Sequence, residues 1–184
     1  MKLKNSFLFT FLPCLLAFSC GNLNTDGRDS LAVDVEKFDT ARLKAEKEAW
    51  KAQNIQKYRF IGTLSLDYPS VPVWVTISPG ADPVLECPPG FSKTEFEQEE
   101  EKYYMFFAKP IEEIYSAIEA NIDEALNEVS ANPNVGITVY IAYNAESHYP
   151  ESFFTGSYDR PSGEVGDGGG WGFKISGFEV ISEN

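Results

Sequence analysis

Apolar and polar positions recur along this chain with two different periods, and each change of period marks an element. Ile111, Ile114, Tyr115, Ile118, Ile122, Leu126 and Val129 fall at intervals of three and four, the spacing that lines one face of a helix. Pro110 suits the first helical position, where its missing N–H costs nothing. Glu112 and Glu113 suit the positive end of the helix dipole, and Asn132-Pro133-Asn134 stops the run. The pattern predicts a helix from Pro110 to about Ser130 that forms the main element of the core. A weaker helical pattern runs from Asp34 to about Asn54. It is rich in helix formers (Ala41, Ala45, Glu46, Lys47, Glu48, Ala49), and Asp34 or Asp39 can cap its start. Phe38, Ala41, Ala45 and Ala49, with Trp50, make a thin apolar stripe, so this helix is expected to lie on a sheet with one side wet.

Elsewhere the period is two. From Tyr58 to Tyr68, Tyr58, Phe60, Gly62, Leu64, Leu66 and Tyr68 share one face and Arg59, Ile61, Thr63, Ser65 and Asp67 the other, as in a half-buried strand. Val73 to Ser78 alternates with Val73, Val75 and Ile77 inward. Pro79-Gly80-Ala81-Asp82 has turn chemistry, and Val84 to Cys87 reads as a short returning strand. Val135 to Asn144 alternates with Val135, Ile137, Val139, Ile141 and Tyr143 on one face. Ser152 to Tyr158 and Trp171 to Ser182 are the last two strands. Gly177 is the expected bulge, where Ile175 and Phe178 change phase. The glycine-rich stretch from Asp159 to Gly170 is expected to be the hairpin loop between them. Tyr103 to Phe107 is strongly aromatic and must be covered. Short turns between strands imply an α+β fold: an antiparallel sheet of about five or six strands with two main helices packed on one face.

The N-terminus carries a different signal. Lys2 and Lys4 precede an apolar run from Phe7 to Phe18, broken by Thr10 and Pro13, and Ala17-Phe18-Ser19-Cys20 follows. A positive start, a short apolar run and small residues before a cleavage point describe an export signal over residues 1–19. A membrane span needs roughly 20 apolar residues, and this run stops short. Leu16-Ala17-Phe18-Ser19-Cys20 resembles the lipobox of bacterial lipoproteins, which implies that Cys20 becomes the new N-terminus and carries acyl chains. The family's usual Leu three places before the cysteine is Ala17 here. The competing reading is ordinary signal cleavage at the same bond, since Ala17 and Ser19 also satisfy a small-x-small rule. Residues 20–30 then form the lipidated cysteine and a polar tether reaching roughly 15–20 Å, and residues 31–184 a single α+β domain.

Cysteine usage and charge narrow the picture. Cys14 leaves with the signal, which leaves Cys20 and Cys87. A free Cys20 would be expected to bridge to Cys87 in an oxidising compartment. A lipidated Cys20 leaves Cys87 alone, as a buried small apolar residue; Leu85, Glu86, Pro88 and Pro89 give it neither base nor positive field. The chain has 15 basic and 28 acidic residues and a net charge of −13. Losing residues 1–19 removes Lys2 and Lys4 and no acid, moving −13 to −15. That balance argues against nucleic acid, which needs a basic footprint, and against electrostatic adhesion to anionic lipid heads.

Several segments together resemble a family of small bacterial lipoproteins grouped as domain of unknown function 6174. They are Trp50-Lys51-Ala52-Gln53-Asn54-Ile55-Gln56-Lys57-Tyr58-Arg59-Phe60, Val75-Thr76-Ile77-Ser78-Pro79-Gly80, Ile111-Glu112-Glu113-Ile114-Tyr115, and Val139-Tyr140-Ile141-Ala142-Tyr143-Asn144 followed by His148-Tyr149-Pro150-Glu151. The resemblance covers most of the mature chain. Two departures stand out: the family pattern has a cysteine pair near the first strands where this chain has Cys87 alone, and Gly-Tyr-Pro where it has His148-Tyr149-Pro150. The resemblance implies a fold and an envelope location, and no activity.

Candidate chemistry is sparse. His148, the single histidine, lies near Glu146 and Glu151, but structural zinc wants four ligands, mostly sulfur and nitrogen, so a turn or surface histidine is expected. Ser147 beside His148 is a sequence neighbour, not a triad. The acidic run Glu95, Glu97, Glu99, Glu100 and Glu101 reads as a solvated face. Gly166-Asp167-Gly168-Gly169-Gly170-Trp171-Gly172 lacks the lysine and following helix of a phosphate loop. Asp159, Glu164 and Asp167 lack the spacing of an EF-hand. Trp50, Tyr58 and Phe60 are expected to be structural. No catalytic residue, metal or cofactor is assigned. The expected function is a non-catalytic cell-envelope lipoprotein, held to the membrane by its N-terminal lipid outside the cytoplasm. It would bind a protein, peptide or ligand through an exposed sheet face or its aromatic loops. The alternative is a secreted or periplasmic enzyme with an unrecognised site. An exposed aromatic patch on the sheet favours the first; a deep pocket of converging ionisable groups favours the second.

Overall fold

The computed structural model describes residues 32–65, 72–91, 106–163 and 165–182, and for residues 65 and 165–169 the backbone alone. The signal, Cys20, the tether and the Glu95–Glu101 run therefore lie outside the described residues. In chain order the elements are β1 (Val33–Asp34), a 3-10 helix (Val35–Lys37), α1 (Thr40–Ala52), β2 (Tyr58–Ser65), β3 (Val73–Ile77), β4 (Val84–Glu86), α2 (Ile111–Ala131), β5 (Val135–Tyr143), β6 (Pro150–Asp159) and β7 (Val165–Val180). The strands form one sheet in the order β1-β5-β6-β7-β2-β3-β4, and every pairing is antiparallel. The α+β architecture is as expected, with seven strands instead of five or six. The added strand, β1, is only two residues long and too short to carry a period.

One sheet face meets both helices. Tyr58, Phe60, Val75, Val139, Phe153, Phe173 and Ile175 on the strands join Ile111, Ile114, Tyr115, Ile118 and Ile122 of α2 in a single buried cluster. The α2 stripe is buried throughout except Leu126, which is half-buried, and Ala125 takes the inward place beside it. Pro110 is the N-cap, so the helix begins one residue later than expected. Phe107 is covered as its aromatic run required. Its ring fills the place of the missing Gly62 side chain, where a Cβ would lie 2.6 Å from the ring.

The α1 stripe needs correction. Ala41 and Ala45 are exposed, and the helix turns Leu43 and Trp50 into the core. Leu43 and Trp50 each carry far more apolar area than alanine, so burying them decides the rotation of the helix. The start is also later than Asp34. Asp39 is the N-cap, accepting from the Arg42 N–H at 3.0 Å, while Asp34 belongs to β1. Tyr158 on β6 crosses Gly136 of β5 and donates to Asp34 at 2.6 Å, tying this first strand down. That hydrogen bond, with a second from Lys37, holds the Asp34 carboxyl below its ordinary range.

The glycine-rich stretch is the other correction. The β6–β7 turn occupies only Arg160 to Gly163, where Asp159 accepts from the Ser162 N–H at 3.0 Å, and strand resumes at Val165. Glycines read as loop residues by composition, yet Gly170 pairs with Gly156 of β6, and the Phe154 ring covers both. Gly177 is the bulge, at φ +58°, and the β2–β7 register shifts between Arg59 and Ile61.

Candidate functional site

The sheet face away from the helices is a continuous surface that the register defines. Four rows cross it. Tyr140, Phe154 and Gly172 stand side by side on β5, β6 and β7, and Ala142, Ser152, Lys174 and Thr63 form the next row, reaching β2. Ser176, Ile61, Trp74 and Glu86 form the third row, and Glu179, Arg59, Thr76 and Val84 the fourth. Alternation along each strand puts these side chains outward because their neighbours, such as Phe60, Val75, Ile141, Phe153 and Phe173, are committed to the core.

Four aromatic residues stand on this face, Trp74, Tyr140, Phe154 and Tyr158, the last of them spent on Gly136 and Asp34. Phe154 is 39% exposed. The distal end of its ring lies over Gly156 and Gly170, which pair directly across β6 and β7. A Cβ on Gly170 would overlap the ring, and one on Gly156 would come within 3.1 Å of it. An aromatic ring laid over strand glycines shields a backbone that has no side chain of its own. On the other flank, the Arg59 guanidinium sits 4.7 Å from the Trp74 ring centre and pairs with Glu179 at 2.6 Å. Lys174 stands between the two flanks. It is exposed and makes no ion pair among the described residues.

A cleft of about 410 Å³ opens where the ends of β2 and β3 meet the start of α2. Ile55, Tyr58, Ile77, Pro79, Lys109 and Glu113 line it. Several of its polar groups are engaged. The Tyr58 hydroxyl accepts the Ile111 N–H at 2.9 Å, satisfying one of the free donors at the helix start. Burial holds the Tyr58 phenol well above its ordinary pKa. Glu112 accepts from the Trp50 indole at 2.8 Å, and the Lys109 ammonium lies 4.9 Å from the Phe106 ring centre. Lys109 and Glu113 on its wall make no ion pair among the described residues.

His148 sits where sequence neighbours did not place it. Its Nδ1 lies 2.8 Å from Glu46 Oε2 on α1, not against Glu146 or Glu151. Its backbone has φ +56°, and its carbonyl accepts from the Tyr115 hydroxyl. Asn144 holds the turn, accepting from the Glu146 and Ser147 N–H groups at 3.1 and 2.8 Å and donating to Glu151 at 2.8 Å. The Tyr143 hydroxyl is buried without a hydrogen-bond partner among the described residues, and the Arg42 guanidinium lies 5.5 Å from the Tyr143 ring centre. Burial, reinforced by the Glu46 charge, raises the Tyr143 pKa. Among the described residues no group of three or more His, Cys, Asp or Glu could hold a metal. Asp159 is used by its turn, and the Glu164 and Asp167 side chains lie outside the described residues.

The residues expected to be structural are so. Trp50 is buried and meets Tyr58 and Phe178 edge-on at 5.4 and 5.7 Å, and Phe60 is fully buried. Cys87 is a free thiol but only half-buried, with its sulfur 3.7 Å from the Pro88 and Phe91 carbonyls. It closes the β4 end and does not fill the core. Sequence reasoning missed the Glu46–His148 contact, which spans 102 residues. It also missed the row Ser152, Lys174 and Thr63, which exists only because β7 lies between β6 and β2. No helix among the described residues is long and apolar enough to cross a membrane. No protein-family model, curated protein or solved structure matches the chain.

Proposed function

We propose that the chain is a cell-envelope lipoprotein, lipidated at Cys20, whose acidic α+β domain is a non-catalytic binding module working through its open sheet face. The carrying observation is that face: Tyr140, Phe154 and Trp74 stand among small and hydroxylic residues on neighbouring strands. Phe154 is exposed there, and Tyr140 and Trp74 are half-buried; exposed apolar surface on a sheet suits a partner. Two carboxylates are spent on structure, Glu112 on Trp50 and Asp34 on Tyr158. The family resemblance points to the same place in the cell. Capture from envelope extract by the full chain in detergent tests the reading. The bound fraction should fall with Phe154→Ala and Trp74→Ala and stay with Lys37→Ala, whose side chain lies at the β1 end; equal capture by all three removes the face as the site.

One observation favours a secreted or periplasmic enzyme instead. Glu46 holds the His148 imidazole by one nitrogen, as a base is held in acyl-transfer sites. Under that reading His148→Gln abolishes an envelope hydrolase activity without lowering stability; under the binding reading it changes stability alone.

A further inference from the structure

The cleft at the start of α2 carries one charge of each sign. Lys109 precedes the helix, Glu113 stands in its first turn, and both line the cleft. Neither makes an ion pair among the described residues, with the other or with a third group. The Lys109 ammonium rests 4.9 Å from the Phe106 ring centre. Glu112, the other acid on the wall, is committed to the Trp50 indole. Around the two charges the lining is apolar, with Ile55, Ile77, Pro79, Pro83 and Pro110. The volume of about 410 Å³ falls within the usual span of small-molecule sites, about 300–1,000 Å³.

The opposite charges select the ligand class. An apolar ligand would take water from Lys109 and Glu113 and give neither a polar partner in return. An anion on Lys109 would bring a like charge to Glu113, and the chain's net charge of −13 adds to that cost. A cation on Glu113 would do the same to Lys109. A ligand with one charge of each sign and none overall answers both groups. Its carboxylate meets the ammonium and its ammonium meets the carboxylate, each in a charge-assisted hydrogen bond. The apolar lining asks that the stretch between those two charges be apolar as well. A short peptide with free ends and apolar side chains has this form. An ethanolamine phospholipid head also has both charges, but the link between them is short and its apolar chains lie to one side.

We infer that this cleft binds short apolar peptides as zwitterions. Lys109 takes the C-terminal carboxylate, Glu113 takes the N-terminal ammonium, and Ile55, Ile77 and the prolines take the side chains. The cleft is separate from the open sheet face, since Tyr58 and Ile77 on its wall belong to the core cluster under the helices. Neither reading depends on the other.

Calorimetric titration of the full chain in detergent with leucyl-leucine is the test. N-acetyl-leucyl-leucine lacks the ammonium, leucyl-leucine amide lacks the carboxylate, and glycyl-glycine lacks the side chains. Each should bind about tenfold or more weakly than leucyl-leucine, the size of one charge-assisted contact or of a buried apolar side chain. Glu113→Gln should weaken leucyl-leucine about tenfold and leave the acetylated peptide unchanged. Lys109→Gln should weaken leucyl-leucine to the same degree and leave the amide unchanged. Phe154→Ala, on the open face, should alter none of these. Glu113 is exposed and holds no other charged group, so Glu113→Gln keeps the test valid if Lys109→Gln, which gives up the Phe106 ring, unfolds. No binding of leucyl-leucine, equal binding of any of its three relatives, tighter binding of phosphoethanolamine, or indifference to Glu113→Gln overturns the inference. Loss of leucyl-leucine binding in Phe154→Ala also overturns it, by moving the peptide to the sheet face.

Discussion

Trp50 of α1 donates its indole N–H to Glu112 of α2 at 2.8 Å, across 62 residues of sequence. The indole is 1% exposed and its ring packs on Tyr58 and Phe178. One side chain thus joins both helices to the sheet. Trp50→Phe keeps much of the apolar contact but leaves a part-buried carboxylate without its donor. It should cost about 1–3 kcal/mol. Glu112→Gln keeps an acceptor and should cost less. Urea melts of the two single variants and the double variant measure the coupling, and additive losses would show that the bond contributes nothing.

Ile118 is fully buried at the centre of the α2 stripe. Ile118→Ala removes several buried methyl and methylene groups and leaves a cavity between helix and sheet. The expected cost is about 2–5 kcal/mol. Leu126→Ala, at a half-buried position on the same helix, should cost clearly less. A urea midpoint for Ile118→Ala equal to that of the parent would contradict the buried face.

What the sequence made legible was periodic and local. Ile111 to Val129 marked its helix because seven apolar residues kept one spacing, and Val73, Val75 and Ile77 marked the inward face of β3 by simple alternation. Gly177 was legible as a bulge because Ile175 and Phe178, both wanted in the core, differ in phase. Two things misled. Alanines outnumber Leu43 on α1, but the fold follows buried area, so Ala41 and Ala45 face water. The glycines before Trp171 read as a loop by composition, because the ring that covers Gly170 belongs to Phe154 on another strand. The candidate face was legible strand by strand and not as a whole. Arg59, Ile61 and Thr63 read as one outward set, but their neighbours Lys174 and Ser176 depend on which strands pair.

Gly172 offers a direct check on that pairing. A Cβ there would overlap the Phe153 carbonyl oxygen and lie 3.0 Å from the Phe154 Cα, both backbone atoms of the paired strand. Gly172→Ala must therefore push β6 and β7 apart, at about 1–3 kcal/mol as for overpacking elsewhere. Gly80→Ala is the contrast: nothing lies within 4 Å, and only the left-handed backbone at φ +68° resists it. Amide exchange should quicken along β6 in Gly172→Ala and stay as in the parent in Gly80→Ala. Unchanged exchange in both would mean that the glycine-rich run is not paired as described.

Alkaline stability follows from the buried phenols. Burial pushes Tyr149 up to about 12 and holds Tyr58, Tyr115 and Tyr143 further above their ordinary value. In the unfolded chain these groups ionise at about pH 10. Between the two values the folded state binds more protons, so stability falls as pH rises. Their contribution is whole below the unfolded value and is lost progressively above it. Tyrosinate absorbance should show these four phenols ionising only with unfolding, after the exposed tyrosines. Early, reversible ionisation of all tyrosines in the folded protein would contradict their burial.

An acylated Cys20 is the expected membrane anchor. Cys20 lies outside the described residues, and charge and apolar area carry the case. The mature net charge moves from −13 to −15 when Lys2 and Lys4 leave with the signal. An acidic domain is repelled by anionic lipid heads, and no described helix offers an apolar span. One acyl chain gives marginal membrane binding, and two or more give stable anchoring. Cys20→Ala should therefore abolish acylation and move the protein from the membrane to the soluble fraction. Mass spectrometry of the mature N-terminus should find an acylated Cys20 in the parent. A free Cys20, or one bridged to Cys87, would leave a plain secreted protein. Membrane retention of Cys20→Ala would place the anchor elsewhere, in an uncleaved signal or a membrane-bound partner.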